Sequence, residues 1–283
     1  MNKKKIIVPV DFSHQSKYAM DFAVEFSRFI RAEIALVHVL EFPPFRFSTT
    51  GEANKQAMEN FYNSEYIKGV HNRLEEWKDN LAKEGVEVRS LMRYGNPFQK
   101  ISNTISEEKA DYIIMGSKGA SGLKEFLVGS NAARMIRYAK CSVIIVKGMT
   151  RIKDFKNLTF ATDASTEQDV IAAQAKRIQS YLGLKMHVVK IKTPYNWLEE
   201  GQVKKQLDFF AERNRFRDFT LSSFSADFVD EGAIKFAEEN ESGMIMIGTH
   251  GRTGLGHLIA GSTAESLVNE SEIPVMVFKL SET

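Results

Sequence analysis

The chain has 283 residues, which is enough for two domains of ordinary size. Hydrophobic residues make up 43% of it and charged residues 26%, values that are typical of globular proteins. Lys and Arg number 38 against 36 Asp and Glu, and this near balance argues against a general binder of nucleic acid.

The single cysteine, Cys141, cannot form an intramolecular disulfide and fits a reducing compartment. The apolar run at 6–10 is too short for a signal peptide, and no stretch approaches the ~18 apolar residues of a membrane helix. We therefore expect a cytoplasmic protein with no membrane partner.

The first half of the chain alternates between short apolar runs and helical spacing. Strands are predicted at 6–10, 34–40, 86–92, 112–115 and 142–146, and helices after the first, second, third and fourth of them. In the first helix Phe22, Phe26 and Phe29 recur at helical spacing, so all three are expected in the core. This order predicts an α/β fold whose parallel sheet is covered by helices on both faces.

The second half repeats the first. The segment IIVPVDFS at 6–13 matches LTFATDAS at 158–165, and VHV at 37–39 is aligned with MHV at 186–188. Two glycine-rich segments also match, at an offset of 132 residues, and the last predicted strand is 274–278. Because duplicated segments of this length form equivalent structural units, we predict two domains, 1–148 and 152–283.

The glycine-rich segments are GSKGASGLKEFLVGSN at 116–131 and GTHGRTGLGHLIAGST at 248–263. Each follows a predicted buried strand and leads into a predicted helix. Glycine allows a ligand to approach the backbone closely, and a helix N-terminus attracts anions, so both segments suit a phosphate group. Neither a Walker A motif nor a GxGxxG dinucleotide fingerprint is present. The alternative is that the glycines only permit tight turns.

An aspartate follows the first strand of each copy, at Asp11 and Asp163. Ligands of parallel α/β sheets bind beyond the carboxyl ends of the strands, where both aspartates and both glycine segments are expected. Each aspartate could also be a simple helix cap. His38 and His187 lie within predicted strands and are expected to pack or hydrogen-bond locally.

The pattern G-2x-G-9x-G-[S/T], with an Asp after the first strand, resembles the ATP-binding universal stress proteins. The resemblance covers nearly the whole chain and implies a tandem member. It implies two doubly wound five-stranded parallel sheets of order 3-2-1-4-5, the adenine nucleotide alpha hydrolase-like fold, related by pseudo-twofold symmetry. The chain departs from the pattern at Ala161, which corresponds to Pro9, and at Ser142, which corresponds to Pro274. The GNP at 95–97 has no clear match in the second copy.

The resemblance implies that ATP, with or without Mg²⁺, or a related adenine nucleotide binds in each half. In the first half the implied binding residues are Pro9, Asp11, Val39, Met115, Gly116, Gly119, Gly129, Ser130 and Asn131. In the second half they are Asp163, Val188, Ile247, Gly248, Gly251, Gly261, Ser262 and Thr263. The aspartates and the backbone that ends the second strand would hold the adenosine, and the glycines and hydroxyl groups would hold the phosphates.

These residues favour a stress-response or regulatory protein that binds adenine nucleotide, acting through an unknown protein partner. The alternatives are a slow nucleotide hydrolase or adenylating enzyme on the same fold, and a scaffold without nucleotide. Charged residues of the glycine segments do not repeat between the copies, so no catalytic set is predicted. His250 and His257 lack nearby Cys ligands, and no metal site is predicted.

The last strands of the two copies, 142–146 and 274–278, are apolar along their length. An unpaired apolar edge strand is prone to aggregation. The resemblance implies joining through these strands, since family members resemble dimers joined through the last strand of each domain. We expect the two edges to pair antiparallel within one chain, which would imitate a dimer, so that a further homodimer is possible but not required. The basic and aromatic segment 204–218 has interleaved acidic residues and is expected to be a solvated helix.

Overall fold

A computed structural model describes residues 3–41, 64–117, 128–249 and 260–279 of the chain. In these residues ten strands form one sheet with the order β3-β2-β1-β4-β5-β10-β9-β6-β7-β8. Strands β1 to β5, with their helices, make the N-terminal half, and β6 to β10 make the C-terminal half. Each half has the predicted order 3-2-1-4-5, and the predicted α/β fold class is confirmed.

The bounds of the N-terminal elements follow the sequence pattern closely. The strands are β1 Lys4–Pro9, β2 Ala32–Leu40, β3 Val88–Tyr94, β4 Tyr112–Gly116 and β5 Ser142–Val146. The helices are α1 His14–Ile30, α2 Glu65–Lys83, α3 Pro97–Glu108 and α4 Ser130–Tyr138.

The C-terminal half begins after a short 3-10 turn at Ile152–Asp154. Its strands are β6 Asn157–Ala161, β7 Lys185–Lys192, β8 Phe219–Ser225, β9 Ser242–Thr249 and β10 Val275–Lys279. Its helices are α5 Asp169–Leu182, α6 Glu200–Asn214, α7 Val229–Glu239 and α8 Ala260–Glu270. Within the described ranges, no helix has the length and apolar character needed to cross a membrane.

The sheet is buried on both faces, as its apolar strands require. In β1, Ile6 and Val8 face one core and Ile7 faces the other, because successive side chains of a strand alternate. The first core is covered by α1, α2, α5 and α6, and the second by α3, α4, α7 and α8. The carboxyl ends of the parallel strands therefore lie between two layers of helices.

The expectation that Phe29 lies in the core is wrong. Phe22 and Phe26 are fully buried, whereas 41% of Phe29 is exposed and Ile30 takes the next core position. The buried positions recur every four residues, at Phe22, Phe26 and Ile30. Phe29 precedes the last of them by one residue, which is about 100° around the helix, so its side chain points away from the core.

The two halves join through their last strands. Strands β5 and β10 are antiparallel, and Ile144 pairs with Met276 between the pairs Ile145–Val275 and Val143–Val277. All of these side chains are buried. The predicted antiparallel pairing of the two edges is confirmed, and it converts two five-stranded sheets into one.

Candidate functional site

A cavity of about 310 Å³ opens at the carboxyl ends of β1, β2 and β4; we call it the N-terminal cavity. It brings together every residue predicted for the first half that lies in the described ranges. These are Pro9, Asp11, Val39, Met115, Gly116, Gly129, Ser130 and Asn131. Gly119 lies outside the described residues. The prediction did not include the other residues that line this cavity, which are Val10, Ser16, Val37, Glu41, Pro97, Ile101, Ser117 and Ala132.

Asp11 is held at the cavity wall by a tight turn. Its Oδ1 accepts hydrogen bonds from the Ser13 N–H at 3.0 Å and from the Ser13 hydroxyl at 2.6 Å. Phe12 between them has a φ of 63°, which is uncommon for a residue other than glycine. Ala164 after Asp163 has a φ of 60°, and Asp163 accepts from the Ser165 N–H at 2.9 Å. Both halves thus build the same turn around the aspartate.

Aromatic packing supports the strained residue of the first turn. The Phe12 ring stacks on His38 with 4.8 Å between the centroids and meets Trp77 edge-on at 5.3 Å. His38 Nδ1 donates to the Val10 carbonyl at 2.7 Å, so this imidazole fixes the end of β1. Burial lowers the pKa of His38. The local roles predicted for the strand histidines are confirmed, since His187 Nδ1 also hydrogen-bonds Thr220 Oγ1 at 2.6 Å.

The start of α4 also lines the N-terminal cavity. Gly129 is its N-cap residue and provides no side-chain cap, and Gly129, Ser130, Asn131 and Ala132 all line the cavity. The Gly129 N–H donates to the Ser117 carbonyl at 2.6 Å, which holds the cap in place. The first N–H groups of a helix carry a partial positive charge and bind anions.

Gly116 is required for packing. A Cβ at this position would lie 2.7 Å from the carbonyl carbon and oxygen of Gln15. The end of β4 therefore touches the backbone at the first turn of α1, and only glycine allows this contact. In this respect the sequence interpretation, which assigned the glycines to ligand approach, is incomplete.

A smaller cavity of about 150 Å³, the C-terminal cavity, lies at the corresponding place in the second half. Of the predicted residues, it is lined by Asp163, Ile247, Gly248 and Thr263. Gly251 lies outside the described residues, as do the side chain of Ser262 and the surroundings of Gly261, whose backbone belongs to α8.

Val188 is not among the residues that line the C-terminal cavity, and the alignment of 37–39 with 186–188 is wrong. Pro9 pairs with Val37 at the end of β1, and Ala161 pairs with Val189 at the end of β6. Ile191 is therefore the counterpart of Val39, and it lines the cavity. Val188 is fully buried in the core beneath α5 and α6. The shared histidine suggested a register three residues too early.

The register also shows which residues differ between the two cavities. Lys190 occupies the position of His38, and Gln168 occupies that of Ser16. Lys190 Nζ donates to the Asp163 carbonyl at 3.0 Å and to Gln206 Oε1 at 2.6 Å, and burial lowers its pKa. Gln168 Oε1 is buried and finds no hydrogen-bond partner among the described residues.

A turn after β7 contributes one residue to the wall of the C-terminal cavity. Asn196 Nδ2 donates to the Ile191 carbonyl at 3.1 Å, and Asn196 Oδ1 accepts from the Thr193 N–H at 2.6 Å. Asn196 itself lines the cavity. In the described ranges, no group of three or more His, Cys, Asp or Glu side chains is placed to hold a metal ion.

With the α/β fold and the two cavities described, the chain can be compared with known proteins. The profile of the universal stress protein family matches residues 2–147 and 226–279, more than half of the chain. The chain belongs to the universal stress protein family. A universal stress protein of Methanocaldococcus jannaschii, MJ0531, is 32% identical over 147 residues, which are 51% of this chain and 82% of the relative. YxiE of Bacillus subtilis is 31% identical over 149 residues, 50% of this chain and 98% of the relative.

Each of these relatives thus matches about half of this universal stress protein. A solved structure from Archaeoglobus fulgidus, also a universal stress protein, aligns with 99% of this chain and 99% of its own. Its TM-score is 0.76 at 22% identity, so this likeness supports the fold of the whole chain.

Proposed function

We propose that this universal stress protein binds an adenine nucleotide, ATP or a close relative, in the N-terminal cavity. The observation that carries the proposal is that one cavity is lined both by Asp11 and by the start of α4, which has no side-chain cap. A carboxylate suits the hydroxyl groups of a ribose, and helix N–H groups suit phosphates. The volume of about 310 Å³ falls in the range of small-molecule sites.

The remaining walls suit a purine base. The cavity is also lined by four residues with apolar side chains, Val37, Val39, Ile101 and Met115. A flat aromatic base gains free energy by leaving water for such a surface. The base, the sugar and the phosphates would then lie in that order between β2 and α4.

The described lining residues favour binding over rapid hydrolysis. Among them the charged side chains are those of Asp11 and Glu41, and none is Lys, Arg or His. Fast phosphoryl transfer requires a cation against the charge that develops on the phosphate. We therefore propose a regulatory role, in which bound nucleotide stabilises the folded chain and alters a surface that a protein partner recognises.

The test is an ATP titration of the purified full-length chain by calorimetry. Gly129→Val places three carbon atoms at the wall next to the start of α4, and we expect at least a tenfold loss of affinity. Gly148→Val is the matched control, because Gly148 lies outside the cavity and a Cβ there meets no atom within 4 Å. Equal affinity of the wild type and Gly129→Val would contradict the proposal.

Asp11→Ala tests whether this residue contacts the adenosine part of the ligand or the phosphates. We expect it to weaken ATP and adenosine by a similar factor and to leave the affinity for inorganic triphosphate unchanged. Loss of triphosphate binding as well would show that Asp11 only maintains the turn. Multiple-turnover phosphate release by the wild type, abolished by Gly129→Val, would favour the hydrolase alternative.

A further inference from the structure

The peptide groups that end the second strands of the two halves lie at equivalent places, at the edges of the two cavities. The Val10 N–H donates to the Val37 carbonyl at 2.9 Å, and in the other half the Thr162 N–H donates to the Val189 carbonyl at 3.0 Å. Both bonds lie at the ends of β1 and β6 that face the cavities. In a parallel strand every second residue turns its peptide groups to the same neighbour. The next such residues are Val39 and Ile191, where the neighbouring strand has ended.

In the C-terminal half this position is already taken by the chain itself. The Ile191 carbonyl accepts the carboxamide N–H of Asn196, while the carboxamide oxygen accepts from the Thr193 N–H. A third bond, from the Asn196 N–H to the Thr193 carbonyl at 3.1 Å, closes the turn. Within the described ranges, no side chain donates to the carbonyl of Val39, the counterpart in the N-terminal half.

The carboxamide of asparagine resembles the edge of an adenine base. Both place an N–H donor beside an acceptor in one plane. Asn196 thus makes, to the backbone that ends β7, the kind of hydrogen bond that an adenine amino group would make. An adenine that entered here would have to displace Asn196 from the Ile191 carbonyl and from the Thr193 N–H, because both groups are already hydrogen-bonded to its carboxamide.

A second residue also makes the C-terminal cavity smaller than the N-terminal cavity. Gln168 projects where the N-terminal cavity has the much shorter Ser16. The C-terminal cavity measures about 150 Å³ against about 310 Å³ in the N-terminal half. The smaller volume lies below the range of about 300–1,000 Å³ that is usual for ligand sites.

We infer that Asn196 is a built-in occupant of the base position in the C-terminal half, and that the chain consequently binds one adenine nucleotide, in the N-terminal cavity. This inference rests on the proposed function and adds to it the stoichiometry and the residue that sets it. The repeated glycine motif does not make the halves equivalent.

The experiment counts ATP molecules bound per full-length chain by equilibrium dialysis. We expect one for the wild type, none for Gly129→Val, two for Asn196→Ala and one for the double variant Gly129→Val/Asn196→Ala. The second site of Asn196→Ala is expected to be weaker than the first. Tyr195→Ala is the matched control in the same turn, because 91% of Tyr195 is exposed and it does not line the cavity; it should bind one.

Each of the other outcomes would contradict the inference, the proposed function or both. Two equal sites in the wild type would refute the inference and keep the proposed function. A single wild-type site that survives in Gly129→Val would place the nucleotide in the C-terminal half and refute the inference. If Asn196→Ala still binds one ATP at the wild-type affinity, the protein is folded and Asn196 is not the barrier. Absence of binding in every variant would overturn the proposed function together with the inference.

Discussion

The side chain of Asn269, in the last turn of α8, accepts a hydrogen bond of 2.8 Å from the main-chain N–H of Val128. Val128 directly precedes Gly129, which lines the N-terminal cavity. The Asn269 carbonyl also accepts from Lys147 Nζ at 2.6 Å. A helix of the C-terminal half therefore fixes the chain at the wall of the N-terminal cavity, and the same helix contributes Thr263 to the C-terminal cavity.

Asn269→Ala should loosen this wall. The Val128 N–H would lose its partner, so we expect a loss of about 1 kcal/mol in the free energy of unfolding and a several-fold weaker affinity for ATP. Denaturant unfolding and calorimetric titration measure the two effects. Asn269→Asp keeps an acceptor and should restore the affinity. In the control Asn240→Ala, which removes a bond to the Phe236 carbonyl at a helix end, the affinity should not change.

Gly116→Ala should destabilise the protein more than Gly248→Ala. The new Cβ at 116 would meet the Gln15 backbone at 2.7 Å, which cannot move without shifting α1. At 248 the nearest atoms, at 2.8 and 2.9 Å, are side-chain atoms of Ile171 and Gln168, which can adjust. Overpacking typically costs about 1–3 kcal/mol, and we expect the upper part of that range at 116 and the lower part at 248. Equal shifts of the melting temperature would contradict this ranking.

Met276→Asp should separate the two halves of the sheet. Met276 is fully buried and pairs with Ile144 at the centre of the antiparallel contact. An unpaired carboxylate there is costly, and its removal to solvent exposes two apolar edge strands. We expect a strongly lowered melting temperature and aggregation, measured by calorimetry and light scattering. Met149→Asp is the control, because 79% of Met149 is exposed. A well-folded, monodisperse Met276→Asp protein would refute this role of the contact.

Cys141 predicts a pH dependence of stability. Burial raises the pKa of its thiol from 9.0 to about 12. Between these values the unfolded chain loses the proton while the native chain keeps it, so the native state binds more protons and stability falls as pH rises. Below pH 9 the contribution is constant. The melting temperature of the wild type should therefore fall, relative to that of Cys141→Ala, as the pH goes from 8 to 10.5. A constant difference over this interval would show that the thiol titrates alike in both states.

Much of the N-terminal cavity could be predicted from the sequence. The strands are apolar runs, the helices show a 3.6-residue period, and Asp11 and the glycine segment follow strands directly. These are local features, and parallel strands place their carboxyl ends at one edge of the sheet whatever the details of packing. The pairing of β5 with β10 was implied by the resemblance to family members joined through their last strands, and the apolar character of both strands agrees with the need to cover such edges.

The differences between the halves were decided by the tertiary structure. Which residue of β7 is the counterpart of Val39 depends on its register against β6, which long-range hydrogen bonds set and a shared histidine does not reveal. Asn196 reaches the Ile191 carbonyl only through the turn that follows β7, and nothing in the repeat marks it. The sequence determined two copies of one fold, because hydrophobic periodicity is encoded locally. The size and polarity of each cavity were decided by tertiary contacts, because its walls come from elements far apart in the chain.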